Sequence, residues 1–175
     1  MTKKSMDDLQ RKSVSAFREA VKMPICVVLD NIRSMHNVGS VFRTADASLL
    51  EAIYLCGYTP QPPHRDIQKT ALGATETVTW QYRQTTLEAV LDLKAAGYKV
   101  YAVEQANNSI ALQQFDWVVS EKIAVVFGNE VEGVNNEVLT HCDGCIEIPQ
   151  LGTKHSLNIS VAAGIILWEL VRDRI

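Results

Sequence analysis

The sequence predicts an α/β fold: a mostly parallel sheet with helices on both faces. Three observations carry this. Unbroken apolar runs of strand length recur at Ile25–Leu29 (ICVVL), Ala52–Cys56 (AIYLC) and Ile123–Phe127 (IAVVF). Runs without polar alternation suit strands that are buried on both faces, as in parallel sheets. Stretches with helical period lie between such runs, and that alternation implies crossovers that cover both faces.

Residues 1–22 are polar and charged, with Leu9, Val14, Phe17 and Val21 at helix-like spacing. They read either as a short amphipathic surface helix or as a solvated arm. Pro24 ends the arm, and residues 23–175 read as one domain. After the first strand, Val38, Val41, Phe42, Ala45 and Leu49 set a helix over Asn37–Leu50, with Asn37 as N-cap. Arg43 falls on another stripe of that helix, away from its most apolar face. Gly57 to Gln68, with Pro60, Pro62 and Pro63, reads as a long exposed loop. Thr77–Tyr82 alternates as a strand. Leu87, Val90 and Leu91 mark a helix that Gly97 terminates. Tyr98–Val103 reads as a strand, Ile110–Phe115 as a short helical piece, and Cys145–Ile148 as a strand stopped by Pro149. A last helix from Ser156 to about Val171 is apolar nearly all round, which calls for burial on all sides. A second subunit is the simplest extra cover, and the N-terminal arm is the alternative.

Composition excludes several classes. The 175 residues suit one domain, and 47% hydrophobic against 21% charged content fills a core beneath a charged surface. No apolar run is long enough to span a bilayer. The start MTKKSMDDLQRK lacks an apolar h-region, so no signal peptide and a cytoplasmic location are expected. A net charge of −3 argues against tight non-specific binding to nucleic acid, though not against a local basic patch. Cys26 and Cys56 lie in strand runs as small core residues. Cys142 and Cys145 form a CxxC with no second pair, so no metal is expected. That CxxC leads into a strand rather than opening a helix, which weakens a redox reading. GNEVEG is not GxGxxG, and neither a P-loop nor a GxSxG elbow occurs.

The segment from Ile123 to Ala163 concentrates the site candidates. Two strand ends and a helix start bring Gly128, Glu130, Gly133, Ser156 and Asn158 close in sequence. In open α/β sheets ligands bind at strand ends of this kind. Gly128, without a Cβ, lets backbone approach a ligand closely.

Three segments together resemble the SpoU branch of the SPOUT RNA 2′-O-ribose methyltransferases. In LDNIRSMHNVGSVFRTADA, Asn37, Gly39 and Arg43 match the family's N-x-G-x-x-x-R. In VVFGNEVEGV, Gly128, Asn129, Glu130 and Gly133 match G-[NS]-E-x-x-G. In IPQLGTKHSLNISVAA, Ile148, Pro149, Gly152, Ser156, Leu157 and Asn158 match I-P-x-x-G-x-x-x-S-L-N. KTALGA (Lys69 to Ala74) is similar to a further family segment.

The resemblance implies a parallel sheet whose C-terminal part is tied in a deep trefoil knot, an exception to the rule of unknotted chains. It implies S-adenosylmethionine (AdoMet) as cofactor, bound in a bent form by Gly128, Ile148 and Leu157 through backbone groups, with Gly133 and Glu104 nearby. It also implies a homodimer with the site near the subunit boundary. The reaction would move a methyl group to a ribose 2′-hydroxyl of tRNA or rRNA, with no metal. Arg43 corresponds to the family's catalytic arginine, as base or as electrostatic stabiliser. Glu130 would orient Arg43 or a neighbouring amide; Asn37, Ser156 and Asn158 complete the catalytic set. Read alone, Ser156 and Asn37 are helix caps and Glu130 a loop carboxylate.

Many relatives carry an extra RNA-binding domain or extended terminal helices, and here only the short arm 1–22 is expected beside the domain. His64, Arg65, Lys69, Arg33, Arg43, Lys154 and the arm's Lys3, Lys4, Arg11 and Lys12 are the candidates for a substitute patch. The alternative function is a non-catalytic RNA-binding or assembly factor with the same fold. It predicts decay at Arg43, Asn158 or the glycines, and none is seen.

Overall fold

The computed structural model describes all residues except Met6, Gln10, Val119 and Ile175, and except the side chain of Asp7. In chain order the elements are α1 (Val14–Glu19), β1 (Met23–Asp30), α2 (Met35–Ala47), β2 (Leu50–Cys56), α3 (Arg65–Ala71), α4 (Ala74–Thr77) and β3 (Trp80–Arg83). Then come α5 (Thr86–Ala95), β4 (Lys99–Val103), β5 (Ile110–Ala111), β6 (Ile123–Phe127), α6 (Asn136–His141), β7 (Gly144–Glu147) and α7 (Ile159–Val171). The strands form one sheet in the order β3-β2-β1-β6-β4-β7-β5. Every pairing is parallel.

The apolar runs sort by alternation into two cores. Ile25, Val27 and Leu29, beside Ile123, Val125 and Phe127, pack with Phe42, Ile67 and Ile166, so α2, α3 and α7 cover one face. Cys26 and Val28, beside Ala124 and Val126, pack with Val90, Leu93 and Val138, so α5 and α6 cover the other. Both faces of the central strands are therefore dry, which is why the sequence there shows no polar alternation.

Topology then places a crevice. The chain steps from β1 through β2 to β3 at one edge, and returns to build β4 on the far side. β6 inserts between β1 and β4. The segment after β1 leads to α2 on one face, and that after β6 leads to α6 on the opposite face. The carboxyl ends of these strands are thus a switch point, where chain leaves in both directions and a ligand can enter.

Several boundaries differ from the sequence reading. α2 starts at Met35 because Ser34 is its N-cap: the Asn37 amide donates to Ser34 Oγ at 3.2 Å. Asn37 is therefore the third helical residue, not the cap. α7 starts at Ile159, and its cap is Asn158, whose Oδ1 accepts from the Ser160 amide at 2.9 Å. Ser156 lies in the preceding loop. The proline-rich loop ends at His64, where α3 begins, and Thr77 belongs to α4. Ile110–Ala111 is a strand beside β7, followed by a 3-10 turn, rather than a helical piece. Helix α6 has no counterpart in the sequence reading; six residues are too few to show a period.

The ends of the chain revise two expectations. The arm docks through α1: Phe17 is buried in the core, and the Arg18 guanidinium donates to the Glu76 carbonyl at 2.7 Å. Helix α7 is not buried all round. Ala163, Ile166, Leu167 and Leu170 face the core, while Val161, Ile165 and Trp168 are 50%, 37% and 58% exposed. These three form one stripe at helical spacing that the arm leaves bare.

Candidate active site

Beneath the loops at this edge of the sheet lies the end of β1. Asp30 is buried, and its carboxylate accepts from Asn31 Nδ2 at 2.9 Å, the Asn135 backbone amide at 3.2 Å and the Thr86 hydroxyl. It thereby ties the starts of α5 and α6 to the central strand. Asn31 adopts a left-handed conformation (φ 54°), and its Oδ1 holds the Tyr58 amide at 3.2 Å.

The loop after β6 closes tightly on itself. Asn129 and Gly133 exchange two backbone hydrogen bonds of 3.0 Å each. A Cβ on Gly128 would stand 2.2 Å from the Gly133 carbonyl carbon and the Val134 nitrogen. The missing side chain of Gly128 thus serves loop closure. Gly133 has φ +70°, and a Cβ there would lie 2.3 Å from Glu104 Oε2. Asn129 is buried and fully used: Nδ2 donates to the Asn31 carbonyl at 2.7 Å and the Tyr58 hydroxyl at 2.8 Å, and Oδ1 accepts from the Val131 and Glu132 amides.

Glu130 reaches from this loop to the start of α2. Its carboxylate accepts from the Arg33 amide at 3.0 Å, the Ser34 amide at 3.2 Å and Asn37 Nδ2 at 3.2 Å. Arg33 and Ser34 immediately precede α2, so the carboxylate sits at the positive end of that helix. Partial burial pushes the Glu130 pKa up, but these hydrogen bonds outweigh it and hold the carboxyl below its ordinary value. Asn37 Oδ1 in turn accepts from Asn158 Nδ2 at 3.2 Å. A chain Glu130–Asn37–Asn158 therefore joins the β6 loop, α2 and α7.

Beside this chain a cleft of about 540 Å³ opens at the carboxyl ends of β4, β6 and β7. All five cofactor candidates line it: Glu104, Gly128, Gly133, Ile148 and Leu157. Glu130, Ser156 and Asn158 line it too, and Val103, Phe127 and Ala162 add apolar wall. Glu104 accepts from the Gln105 amide at 2.8 Å and the Val134 amide at 3.1 Å, which spans the β4 end and the β6 loop. Gln105 Nε2 donates to the His155 carbonyl at 2.8 Å and fastens the loop before α7. Asn37 stands behind the cleft, joined to it through Asn158. Arg43 lies outside it, six residues further along α2, roughly 9 Å along the helix axis from Asn37. Arg43 is exposed, and among the described residues it makes no hydrogen bond or ion pair within this chain. Glu130 is committed to amides rather than to Arg43.

Gln105 and Asn129 were not picked out as site residues from the sequence. Gln105 directly follows Glu104 at a strand end, a position rule that would have found it. Asn129 sits inside a motif already noted. The cysteines supply no thiolate: burial pushes Cys26 and Cys56 up to about 12 and Cys142 up to about 11. Among the described residues no cluster of three or more His, Cys, Asp or Glu side chains is arranged to hold a metal ion, and no helix is long and apolar enough to cross a membrane.

Fold and cleft define an α/β protein that takes a small ligand at the carboxyl edge of a parallel sheet. Residues 24–168 match the SpoU rRNA Methylase family, and the chain belongs to that family. It is 32% identical over 169 residues to a tRNA (guanosine(18)-2′-O)-methyltransferase of Thermus thermophilus, covering 96% of this chain and 84% of that one. It is 31% identical over 152 residues to a 23S rRNA (guanosine-2′-O-)-methyltransferase, RlmB, of Neisseria meningitidis serogroup B, covering 87% of this chain and 60% of the relative's length. Among solved structures, the AdoMet-bound rRNA methyltransferase from Sinorhizobium meliloti superposes with a TM-score of 0.81 at 29% identity, over 91% of this chain and 60% of that one. The TrmH/SpoU tRNA modifying enzyme of A. aeolicus gives 0.80 at 27% identity, over 92% and 82%.

Proposed function

We propose that this chain transfers a methyl group from AdoMet to a ribose 2′-hydroxyl of tRNA or rRNA. One observation carries the reading: two of the three segments that resemble the family line one cleft, and the third is joined to them by the Glu130–Asn37–Asn158 hydrogen bonds. The cleft also fits the cofactor. Its 540 Å³ falls within the roughly 300–1,000 Å³ of small-molecule sites, and its lining is apolar and polar in about equal measure. Backbone groups of Gly128, Ile148 and Leu157 hold AdoMet, and Gly133 and Glu104 shape the loop around it.

Bound AdoMet supplies a methyl group already activated by its sulfonium. No metal is needed for that activation, and what the protein adds is in-line positioning and control of charge. The ribose oxygen would bond to the methyl carbon as the carbon–sulfur bond breaks, with the hydroxyl proton passing to water; where the proton leaves ahead of methyl transfer, negative charge develops on the oxygen. A guanidinium donates and does not accept, so Arg43 serves as electrostatic stabiliser of that oxygen or as a grip on the adjoining phosphate. Asn158 and Ser156 position the ribose, and Glu130 and Asn37 fix the frame that holds Asn158.

Residues 23–175 act as one catalytic domain with 1–22 as a docked arm, in the cytoplasm where RNA substrates are found. The segment from Ile148 to α7 is tied in the family's trefoil knot, a reading supported by the resemblance. The bare stripe Val161, Ile165 and Trp168 supports a homodimer. Ile165→Asp should then halve the mass measured by light scattering; an unchanged mass, or a monomeric wild type, rules that interface out.

The test of function is direct. The protein is incubated with labelled AdoMet and pools of unmodified tRNA and 23S rRNA transcripts, which are then digested to nucleosides. A 2′-O-methylnucleoside is expected from at least one pool. None from any pool overturns the reading.

A further inference from the structure

Tyr58 stands at the same edge of the sheet as the cleft and has no part in the scheme above. Its surroundings are unusual for a tyrosine that is 60% exposed. The residue is anchored at three points. Its amide donates to Asn31 Oδ1 at 3.2 Å, and its hydroxyl accepts from Asn129 Nδ2 at 2.8 Å. The next residue, Thr59, is buried; its hydroxyl donates to the Leu29 carbonyl and accepts from the Ile32 amide, each at 3.0 Å. The ring is thus fixed in place while much of its surface faces water. Among the described residues it makes no ring–ring or cation–π contact.

A held, exposed, unstacked aromatic is costly in hydration and unneeded for the core, where Leu55 and Cys56 already fill the end of β2. Two exposed arginines, Arg33 and Arg65, lie on the segments that flank it in the chain. The exposed Arg33 follows Asn31 by two residues, and its amide is pinned by Glu130. Arg65 is the first residue of α3, and α3 packs closely on α2, where a Cβ on Gly39 would stand 2.3 Å from the Ile67 carbonyl oxygen. A pinned aromatic face beside side chains of this charge suits an unpaired nucleobase stacked on the ring with its phosphates on the cations. Because the phenol oxygen accepts from Asn129, its own O–H remains free to donate outward.

We infer that Tyr58 is a substrate contact on which an unpaired base of the RNA stacks, next to the nucleotide that is methylated. The inference rests on the reading of RNA as substrate. It goes beyond that reading in naming the residue that receives the base. It also supplies part of a recognition surface from within the domain.

The test compares the full-length wild type with Tyr58→Ala and Tyr58→Phe. RNA affinity is read by fluorescence anisotropy with unmodified tRNA and 23S rRNA transcripts, AdoMet affinity by calorimetry, and turnover by nucleoside analysis. Losing a base–aromatic stack should weaken RNA binding about tenfold in Tyr58→Ala. KM for RNA should rise in step, kcat at saturating RNA should hold, and AdoMet affinity should not move. Tyr58→Phe, which keeps the ring, should stay near wild type in RNA affinity. Unchanged RNA affinity in Tyr58→Ala overturns the inference. So does a parallel loss of AdoMet affinity, which would mean that the hydroxyl only braces Asn129 and its loop. If the wild type methylates nothing, the functional reading fails, while the anisotropy comparison still decides whether Tyr58 meets RNA.

Discussion

Replacing Glu130 with alanine tests the joint on which the site depends. The carboxylate accepts three hydrogen bonds, two of them from amides at the start of α2. A bond to a charged group contributes about 1.5–3 kcal/mol when shielded. Glu130 is exposed, so water replaces part of what the alanine removes. Loss of a capping acceptor costs about 0.5–2 kcal/mol. Together these set the expected loss on the order of 2 kcal/mol. For a chain of this length that lowers Tm by about 4–8 °C. Urea unfolding should show a lower midpoint at unchanged slope. Glu130→Gln keeps one acceptor oxygen, replaces the other by an NH2 donor and removes the charge, so it should lose nearly as much as the alanine variant. A Glu130→Ala protein that melts within a degree of wild type would refute the account of this joint.

The same residue makes a pH prediction. Burial raises the Glu130 pKa, but the bonds from Arg33, its own amide, Ser34 and Asn37 prevail and lower it. A depressed native pKa means that the contribution is complete above the unfolded carboxylate value, about 4.3. It is lost as pH falls through the native value. The stability gap between wild type and Glu130→Ala should therefore hold steady from about pH 8 to 5 and close in more acid solution. A gap that widens below pH of about 4 would contradict the sign.

Three further outcomes are expected. Asn158→Ala removes the α7 cap and the bond to Asn37, so it should cost about 1 kcal/mol in urea unfolding and also lower kcat; full activity would separate Asn158 from the chemistry. Arg43→Ala removes an exposed side chain with no bond inside the chain, so stability should stay within about 0.5 kcal/mol and AdoMet affinity should persist while turnover collapses. Retained turnover would remove Arg43 from the mechanism. Gly133→Ala forces a side chain into a left-handed position 2.3 Å from Glu104 Oε2, and calorimetry should show AdoMet affinity falling at least tenfold; unchanged affinity would mean that the loop yields without effect on the cleft.

What the sequence disclosed depended on the range of the interaction that fixes each feature. Ile123–Phe127 was read to the residue, because five apolar residues in a dry sheet carry their own signal. Helix starts were not. Ser34 and Asn37 are both good capping types, as are Ser156 and Asn158, and only the direction of a side-chain oxygen chooses between them. β5 is two residues long and exists only through its pairing with β7. At the site, strand ends and glycines announced the cleft, and the resemblance supplied Asn37 and Arg43. The contact of Asn129 with Tyr58 spans 71 residues and left no spacing to read. The reason Gly128 must be glycine was also hidden, because the atoms it would strike belong to its own loop.

The meeting of Asn37 and Asn158, 121 residues apart, follows from the sheet rather than from chance. All strands are parallel, so each helix that follows a strand begins at the carboxyl edge. α2 follows β1 and α7 follows β7, and both pack on the same face. Their N-termini therefore come to the same edge, and each brings unpaired amides and a positive partial charge. Glu130, leaving β6 between them, answers that charge at α2, and Asn158 answers it at α7. The residues that satisfy helix ends are thus the same ones that frame the cleft. This explains why substitutions at Glu130 and Asn158 should change stability and activity together. Arg43 sits further along α2, where no helix end needs it, so at that position kcat should fall without a change in fold.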